Sequence, residues 1–144
     1  MLISELSDLW SRLDGEDVRG LLALAVGPGP GRLSRAVEDY RTDPAVRLLG
    51  FLGDDRALAV LGLCMEEKRA TIVHIAVDPS WQGKGLGREL LKAVAETFDI
   101  LRMTARTDAG AVGFYRRCGF SVCSLGEVYP GVERFECTLH VIRR

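Results

Sequence analysis

Between Asp78 and Arg88 the chain reads Asp-Pro-Ser-Trp-Gln-Gly-Lys-Gly-Leu-Gly-Arg, with three glycines in five residues at Gly83, Gly85 and Gly87. Glycines spaced in this way let the backbone turn sharply and let a ligand reach its amides without a Cβ in between. An apolar run, Ala70 to Val77, precedes the stretch and an amphipathic run, Leu86 to Phe98, follows it. It therefore joins a strand to a helix whose first N–H groups have no partner inside the helix, and such a helix start holds anions. Lys84 and Arg88 add positive charge where the helix dipole is already positive, which disfavours the helix alone and suits a bound anion. A phosphate-bearing ligand is one expectation; an ordinary strand-to-helix turn is the plainer one. Two common phosphate loops do not fit. G-x-x-x-x-G-K-[ST] fails because Gly85 follows Lys84, and G-x-G-x-x-G fails because Arg88 stands where the third glycine belongs.

The elements that must position this loop can be read from periodicity. Met1 to Glu5 reads as a short edge strand. Leu6, Leu9, Trp10 and Leu13 recur at helical spacing, and Val18, Leu21, Leu22 and Ala25 do so again after Asp14-Gly15. The run Gly27-Pro28-Gly29-Pro30-Gly31 breaks the chain into a loop, and a further helix spans Leu33 to Arg41. Strands follow at Ala45 to Leu52 and Ala57 to Met65, joined as an antiparallel hairpin through Gly53-Asp54-Asp55-Arg56, and at Arg69 to Val77. After the glycine loop a helix places Leu90, Leu91, Val94, Ala95 and Phe98 on one stripe. Ile100 to Arg106 reads as a strand and Ala109 to Cys118 as a helix capped by Gly119, and strands at Ser121 to Leu125 and Phe135 to Ile142 close the pattern. The strand-helix-strand unit over residues 70–106 implies one parallel pair in an otherwise antiparallel sheet. The fold class expected is α/β (α+β), with a single mixed, mostly antiparallel sheet flanked by helices.

At 144 residues the chain has the size of one domain, residues 1–144, and buries about 70% of its unfolded surface. With 19 basic and 20 acidic residues the net charge is −1, so no global field steers it to nucleic acid or to an anionic membrane. The N-terminal residues lack the pattern of a signal peptide, and no apolar run approaches a membrane span. A cytoplasmic protein is the expectation. Cys64, Cys118, Cys123 and Cys137 show no C-x-x-C pair, and only His74 and His140 are available as partners, so reduced structural thiols and no metal are expected.

With strand, loop and helix in place, Ile75-Ala76-Val77-Asp78-Pro79 followed by Gln82-Gly83-Lys84-Gly85-Leu86-Gly87 resembles the acetyl-CoA loop of the GNAT superfamily of N-acetyltransferases, whose pattern is Q/R-x-x-G-x-G/A after a strand ending near V-x-P. A second block, Thr107-Asp108-Ala109-Gly110-Ala111-Val112-Gly113-Phe114-Tyr115-Arg116-Arg117-Cys118-Gly119-Phe120, is similar to the family's later A-x-x-F-Y-x-x-x-G-F segment. The resemblance extends over residues 45–142 in element order. It implies transfer of an acetyl group from acetyl-CoA to a primary amine, small-molecule or peptide, by direct attack in a ternary complex. It further implies that backbone amides from Gly83 to Arg88 cradle the CoA pyrophosphate, that the edge at Ile75, Ala76 and Val77 pairs with the pantetheine arm, and that the strands of residues 70–77 and 100–106 splay apart.

Tyr115 matches the family's tyrosine that protonates the departing thiolate; packing on its helix is the plainer role. A base must deprotonate the incoming ammonium. Related enzymes often carry a glutamate in these strands, but this chain offers Thr71, His74, Met103, Thr104 and Arg106 instead. His74 has a suitable ordinary pKa, and ordered water is the alternative. Asp108 stands where the family often has a polar residue near the cofactor, and is equally a helix N-cap. Glu127, Glu133 and Glu136 flank the Tyr129-Pro130-Gly131 loop, where their charge suits a cationic amine or serves only as solvated surface. The missing glutamate keeps open a second reading, a GNAT-like CoA-binding or sensor module with little turnover. The C-terminal strand, read as exposed, and the apolar N-terminal helices make a homodimer a reasonable assembly.

Overall fold

Asp54 and Asp55 both adopt positive φ, 50° and 61°. A two-residue hairpin turn needs that combination to match the twist of its strands, and aspartate tolerates it better than most side chains. In the computed structural model, which describes residues 2–142, this turn joins β2 (Val46–Gly53) to β3 (Arg56–Glu66), and β4 (Arg69–Val77) extends the meander. Before it come β1 (Ser7–Asp8), α1 (Glu16–Val26) and α2 (Arg32–Thr42); after it come α3 (Leu86–Thr97), β5 (Arg102–Asp108), α4 (Val112–Arg117), β6 (Ser121–Tyr129) and β7 (Val132–His140). The strands form one seven-stranded sheet in the order β1-β2-β3-β4-β5-β7-β6, antiparallel except for β4 with β5.

Each face of the sheet carries its own core. On one, Val18, Leu21 and Leu22 of α1 and Val37 and Tyr40 of α2 pack on Leu48, Val60 and Ala76. On the other, the α3 stripe Leu86, Leu90, Leu91, Val94 and Ala95, with Val112 and Tyr115 of α4, packs on Leu49, Leu61, Ile72, Met103 and Ala105. Full burial of a leucine such as Leu90 contributes on the order of 2 kcal/mol, so both helical layers are fixed to the sheet by their apolar stripes.

One irregularity re-aims a strand. Gly62 pairs with His74 while the next residue, Leu63, pairs with Ile72, so Val73 is an extra residue in β4. A bulge shifts the alternation of side chains by one. Ile72 and Ile75 therefore both face the α3 layer, and His74 faces α2.

The N-terminus departs from the periodicity. The edge strand expected at Met1 to Glu5 is instead β1 at Ser7–Asp8, with an isolated bridge from Ile3 to Gly53; Met1 lies outside the described residues. The helix expected from Leu6 to Leu13 is only a 3-10 turn, Trp10–Arg12. Leu9 and Leu13 are fully buried there, so their spacing reports core contact rather than a helix. The helix expected over Ala109 to Cys118 shortens to α4 because the Asp108 carboxylate accepts from the N–H groups of Gly110 and Ala111 (2.9 and 3.2 Å) and holds a turn ahead of it. The last two strands are longer than their apolar runs, and β7 inserts between β5 and β6, so β6 and not the C-terminal strand forms the sheet edge.

Candidate functional site

The parallel pair of strands is short. β4 and β5 are joined only at Arg69 with Arg102, Ala70 with Met103 and Thr71 with Thr104, and Thr104 Oγ1 meets Thr71 Oγ1 at 3.5 Å on the last rung. Beyond it the strands separate, β4 running on to Val77 and β5 to Asp108, while β7 stays paired to the far edge of β5 along its whole length. A cavity of about 1420 Å³ occupies the opening and takes lining from both layers: Val26, Arg35 and Asp39 on the α1/α2 side, Gly85, Phe114 and Tyr115 on the α3/α4 side. A single small-molecule pocket is roughly 300–1,000 Å³, so this cleft has room for one long ligand and a second molecule.

The glycine loop forms one mouth of the cleft. Asp78 accepts from the Ser80 N–H (2.9 Å) and hydroxyl (2.6 Å), fixing the 3-10 turn Pro79–Trp81, and the Ser80 bonds hold its carboxyl below the usual carboxylate range. Gln82 Nε2 donates to the Val77 carbonyl at 3.0 Å, tying the loop back to the end of β4. Gly85, at φ +80°, starts α3; no side chain caps the helix, and the first amide bonded within it is that of Glu89, to the Gly85 carbonyl at 3.0 Å. The amides of Leu86, Gly87 and Arg88 are thus left without partners at the mouth of the cleft.

The three glycines separate into two roles. A Cβ at Gly83 (φ +78°) or Gly85 would meet nothing within 4 Å, so both face open space at the mouth of the cleft. A Cβ at Gly87 would lie 3.0 Å from the Phe114 ring and 3.6 Å from Val77 Cγ2. Gly87 is there to let α3 approach α4. Gln82, Gly83, Gly85, Leu86, Gly87 and Arg88 line the cleft with Ile75, Ala76 and Val77. Lys84 does not: its ammonium lies 5.1 Å from the Trp81 ring centroid.

Tyr115 reaches the cleft from the α3/α4 side. Its ring packs edge-on to Phe114 and Phe120, with 5.2 Å between centroids in each pair, and only 4% of the residue is exposed. The hydroxyl has no partner among the described residues, yet no buried side-chain oxygen or nitrogen is left unpartnered, so the hydroxyl opens onto the cleft. Burial pushes its pKa well above the usual tyrosine value, which keeps the phenol protonated and able to donate.

His74 enters the same cleft from the opposite face. Its Nδ1 lies 2.6 Å from the Tyr40 hydroxyl, and the rings stack edge-on at 5.7 Å. Gly62 makes this possible: a Cβ there would fall 1.6 Å from the Tyr40 oxygen. Burial pushes the His74 pKa below 6.5, and the nearby Asp39 charge offsets part of that shift. The folded state then binds the imidazole proton less readily than the unfolded chain, so the stability His74 contributes is complete above pH ~6.5 and is lost as the pH falls below it. Thermal unfolding should therefore shift to lower temperature between about pH 7 and pH 5, with His74→Gln flattening that limb; an unchanged slope in the variant would exclude His74 as its origin.

The remaining acidic candidates divide. Asp108 lines the cleft, but its carboxylate already serves the turn before α4. Glu127 and Glu133 do not line it: Glu127 accepts from the Gly131 amide, and Glu133 from the Ser124 hydroxyl. Glu136 lies 3.7 Å from Arg106. These three therefore do not form a carboxylate-lined acceptor wall. Asp39, which lines the cleft, and Tyr40, which stands behind His74, are not legible in the sequence as site residues, because Tyr40 sits on the apolar stripe of α2 and reads as core. A glycine within the apolar run Ala57 to Met65 was the available signal, since it marks close approach of another group. Among the described residues no group of three or more His, Cys, Asp or Glu could hold a metal, and no helix is long and apolar enough to cross a membrane.

The family model described as Acetyltransferase (GNAT) domain matches residues 47–122, from β2 into β6. The [Ribosomal protein bS18]-alanine N-acetyltransferase of Salmonella typhimurium is 32% identical over 97 residues, 61% of this chain and 64% of that protein. This chain spans less than two thirds of the length of the curated relatives it matches. Among solved structures, a GNAT-family protein from Desulfovibrio desulfuricans superposes with a TM-score of 0.81 at 22% identity, over 98% of this chain and all of that one. An aminoglycoside 6′-N-acetyltransferase complexed with coenzyme A gives a TM-score of 0.78 at 15% identity, over 100% and 99% of the two chains. The structural matches speak for the fold and the family match for descent: this chain belongs to the GNAT acetyltransferase family.

Proposed function

We propose that the chain is an acetyl-CoA-dependent N-acetyltransferase in which a primary amine attacks the acetyl thioester directly, within a ternary complex. One observation carries the reading. A single cleft between β4 and β5 opens to both faces of the sheet, with the loop amides and Tyr115 on one side and His74 on the other. A donor and an acceptor entering from opposite faces meet in it.

Bound acetyl-CoA supplies an acyl group activated as a thioester. Amides from Gly83 to Arg88 hold its pyrophosphate at the start of α3, and the open edge at Ile75 to Val77 pairs with the pantetheine arm as an added strand. An amide near Val77 polarises the carbonyl as an oxyanion donor. With Nδ1–H donating to Tyr40, His74 presents Nε2 to accept a proton from the ammonium, directly or through water. The C–N bond forms and the C–S bond breaks, and the Tyr115 hydroxyl donates to the departing sulfur. Of the two protons the ammonium loses, one passes through His74 to solvent and the other replaces the one Tyr115 gave up. The products are the amide, the free thiol and one proton.

The Salmonella relative is named for a protein alanine and the structural neighbour for an aminoglycoside, so the acceptor class here is an amine of a small molecule or a peptide. Ligand-induced stabilisation and thiol release test the reading together. Acetyl-CoA at 100 times its Kd should stabilise the fold by about 2.7 kcal/mol, ATP should not, and thiol should be released with an amine present. Stabilisation by ATP but not CoA would overturn the assignment; acetyl-CoA binding without release for any amine would favour the sensor module.

A further inference from the structure

The charged lining of the cleft is unbalanced: six arginines, Arg32, Arg35, Arg88, Arg106, Arg117 and Arg134, face two aspartates, Asp39 and Asp108. Arg88 and Arg117 belong to α3 and α4. The other four lie with His74 on the opposite face. Arg32 and Arg35 are on α2. Met103 and Ala105 point into the α3/α4 core, so strand alternation turns Arg106 and Asp108 the other way, and Arg134 is the cross-strand neighbour of Asp108. Four positive charges and two negative ones therefore surround the acceptor side.

Most of these groups already have a task. Arg32 donates to the Val26 carbonyl at 3.1 Å, Arg106 lies 3.7 Å from Glu136, and Asp108 accepts from the two amides before α4. The side chains of Arg35 and Arg134 form neither a hydrogen bond nor an ion pair with any described residue. Asp39 is the one negative charge beside the Tyr40–His74 pair, close enough to act on both groups. The wall thus offers an acidic spot next to His74 and unengaged arginines on α2 and β7. That is the complement of a molecule carrying an ammonium at one end and an anion at the other.

Resting on the acetyltransferase reading, we propose that the acceptor is a primary amine that bears a carboxylate or phosphate elsewhere in the same molecule, selected by Arg35 and Arg134, with its ammonium drawn to Asp39 and His74. A polycationic amine is disfavoured by the same arginines. The chemistry is the transfer already written, and the anionic group takes no part in bond making.

Matched acceptors separate the possibilities. Acetyl-CoA binding is first measured by calorimetry; absence of binding would sink the acetyltransferase reading rather than this one. Thiol release is then followed with amines that differ only in the distal group, such as 4-aminobutyrate, 4-aminobutanamide and 1,4-diaminobutane, with aminoalkyl phosphates against the matching amino alcohols, and with longer members of each series. The expected result is a kcat/KM at least about tenfold higher for the acidic member than for its neutral partner, the factor one charge-assisted hydrogen bond supplies. The preference should weaken as salt is raised. The carboxylate and phosphate arms identify the anion. In Arg35→Gln and Arg134→Gln the acid-to-amide ratio should fall toward one through a higher KM for the acid. Faster release with the neutral or cationic members, or release with those members and none with any acidic amine, would overturn the proposal, whereas acetyl-CoA binding with no release for any amine would sink the acetyltransferase reading.

Discussion

Tyr115→Phe should lower kcat by about 10²-fold or more, the usual scale for removing a positioned general acid, while leaving acetyl-CoA affinity and the unfolding temperature near those of the wild type. The variant keeps the ring, and with it the edge-on contacts to Phe114 and Phe120. The hydroxyl it removes bonds to no described residue, so no buried partner is stranded. The loss should therefore appear in the chemical step alone. Because burial holds the phenol protonated well past the usual tyrosine range, Tyr115 should add no alkaline limb to the wild-type pH profile below about pH 10. A second comparison isolates the role. An acetyl thioester whose thiol is more acidic than that of CoA needs less help to depart, so the deficit of the variant should shrink with such a donor. Full activity of Tyr115→Phe with acetyl-CoA would show that another group or water protonates the sulfur.

Gly85→Val should weaken acetyl-CoA binding by about 100-fold, equivalent to losing one or two charge-assisted hydrogen bonds. Two effects act at this position. Gly85 sits at φ +80°, where a side chain with a Cβ costs roughly 1–2 kcal/mol, which tilts the loop away from its binding shape. The new methyl groups also project into the open space in front of the helix amides, since nothing else lies within 4 Å of the Cβ. With no atom to clash against, the variant should still fold, and titration calorimetry beside a thermal melt separates lost binding from lost structure. Equal affinity in wild type and variant would mean that the phosphates bind elsewhere. Gly87 offers a contrast, because a side chain there presses on the Phe114 ring and harms packing first.

Much of this molecule was legible in its sequence, for reasons that are local. Asp54-Asp55 between two apolar runs specifies a hairpin, and the stripe of Leu90, Leu91, Val94 and Ala95 specifies a helix on a sheet, because each depends on near neighbours. The glycine loop was legible too, though not the division of labour within it: only the packed structure shows Gly87 against Phe114 and the other two facing space. What could not be read were features set by pairing between distant segments. The side to which His74 points follows from the extra residue Val73, and that bulge exists only in the register of β4 on β3. Tyr40 reads as part of an apolar stripe until Gly62 is seen to leave room for its oxygen. The N-terminal error has the same origin. Leu9 and Leu13 are buried at helical spacing in a segment that never forms an α-helix, since burial repeats wherever a chain crosses a core. The glutamates of the β6–β7 hairpin suggested a cationic acceptor by their charge, but Glu127 and Glu133 find partners within the hairpin, Glu136 lies beside Arg106 of β5, and none of the three lines the cleft.

The three rungs between β4 and β5 have a further meaning for the sheet as a whole. In hydrogen-bonding terms the seven strands are two ribbons, one of four and one of three, fastened at a single short seam. Such an object has four borders instead of two. The outer pair are β1, only two residues long, and β6. The inner pair, Ile72 to Val77 and Ala105 to Asp108, are unfinished selvedges folded inside the molecule, where another chain seeking to add itself to a bare strand meets helices on either side. Under the acetyltransferase reading, the arm of acetyl-CoA is the extended partner for which these inner borders are left bare.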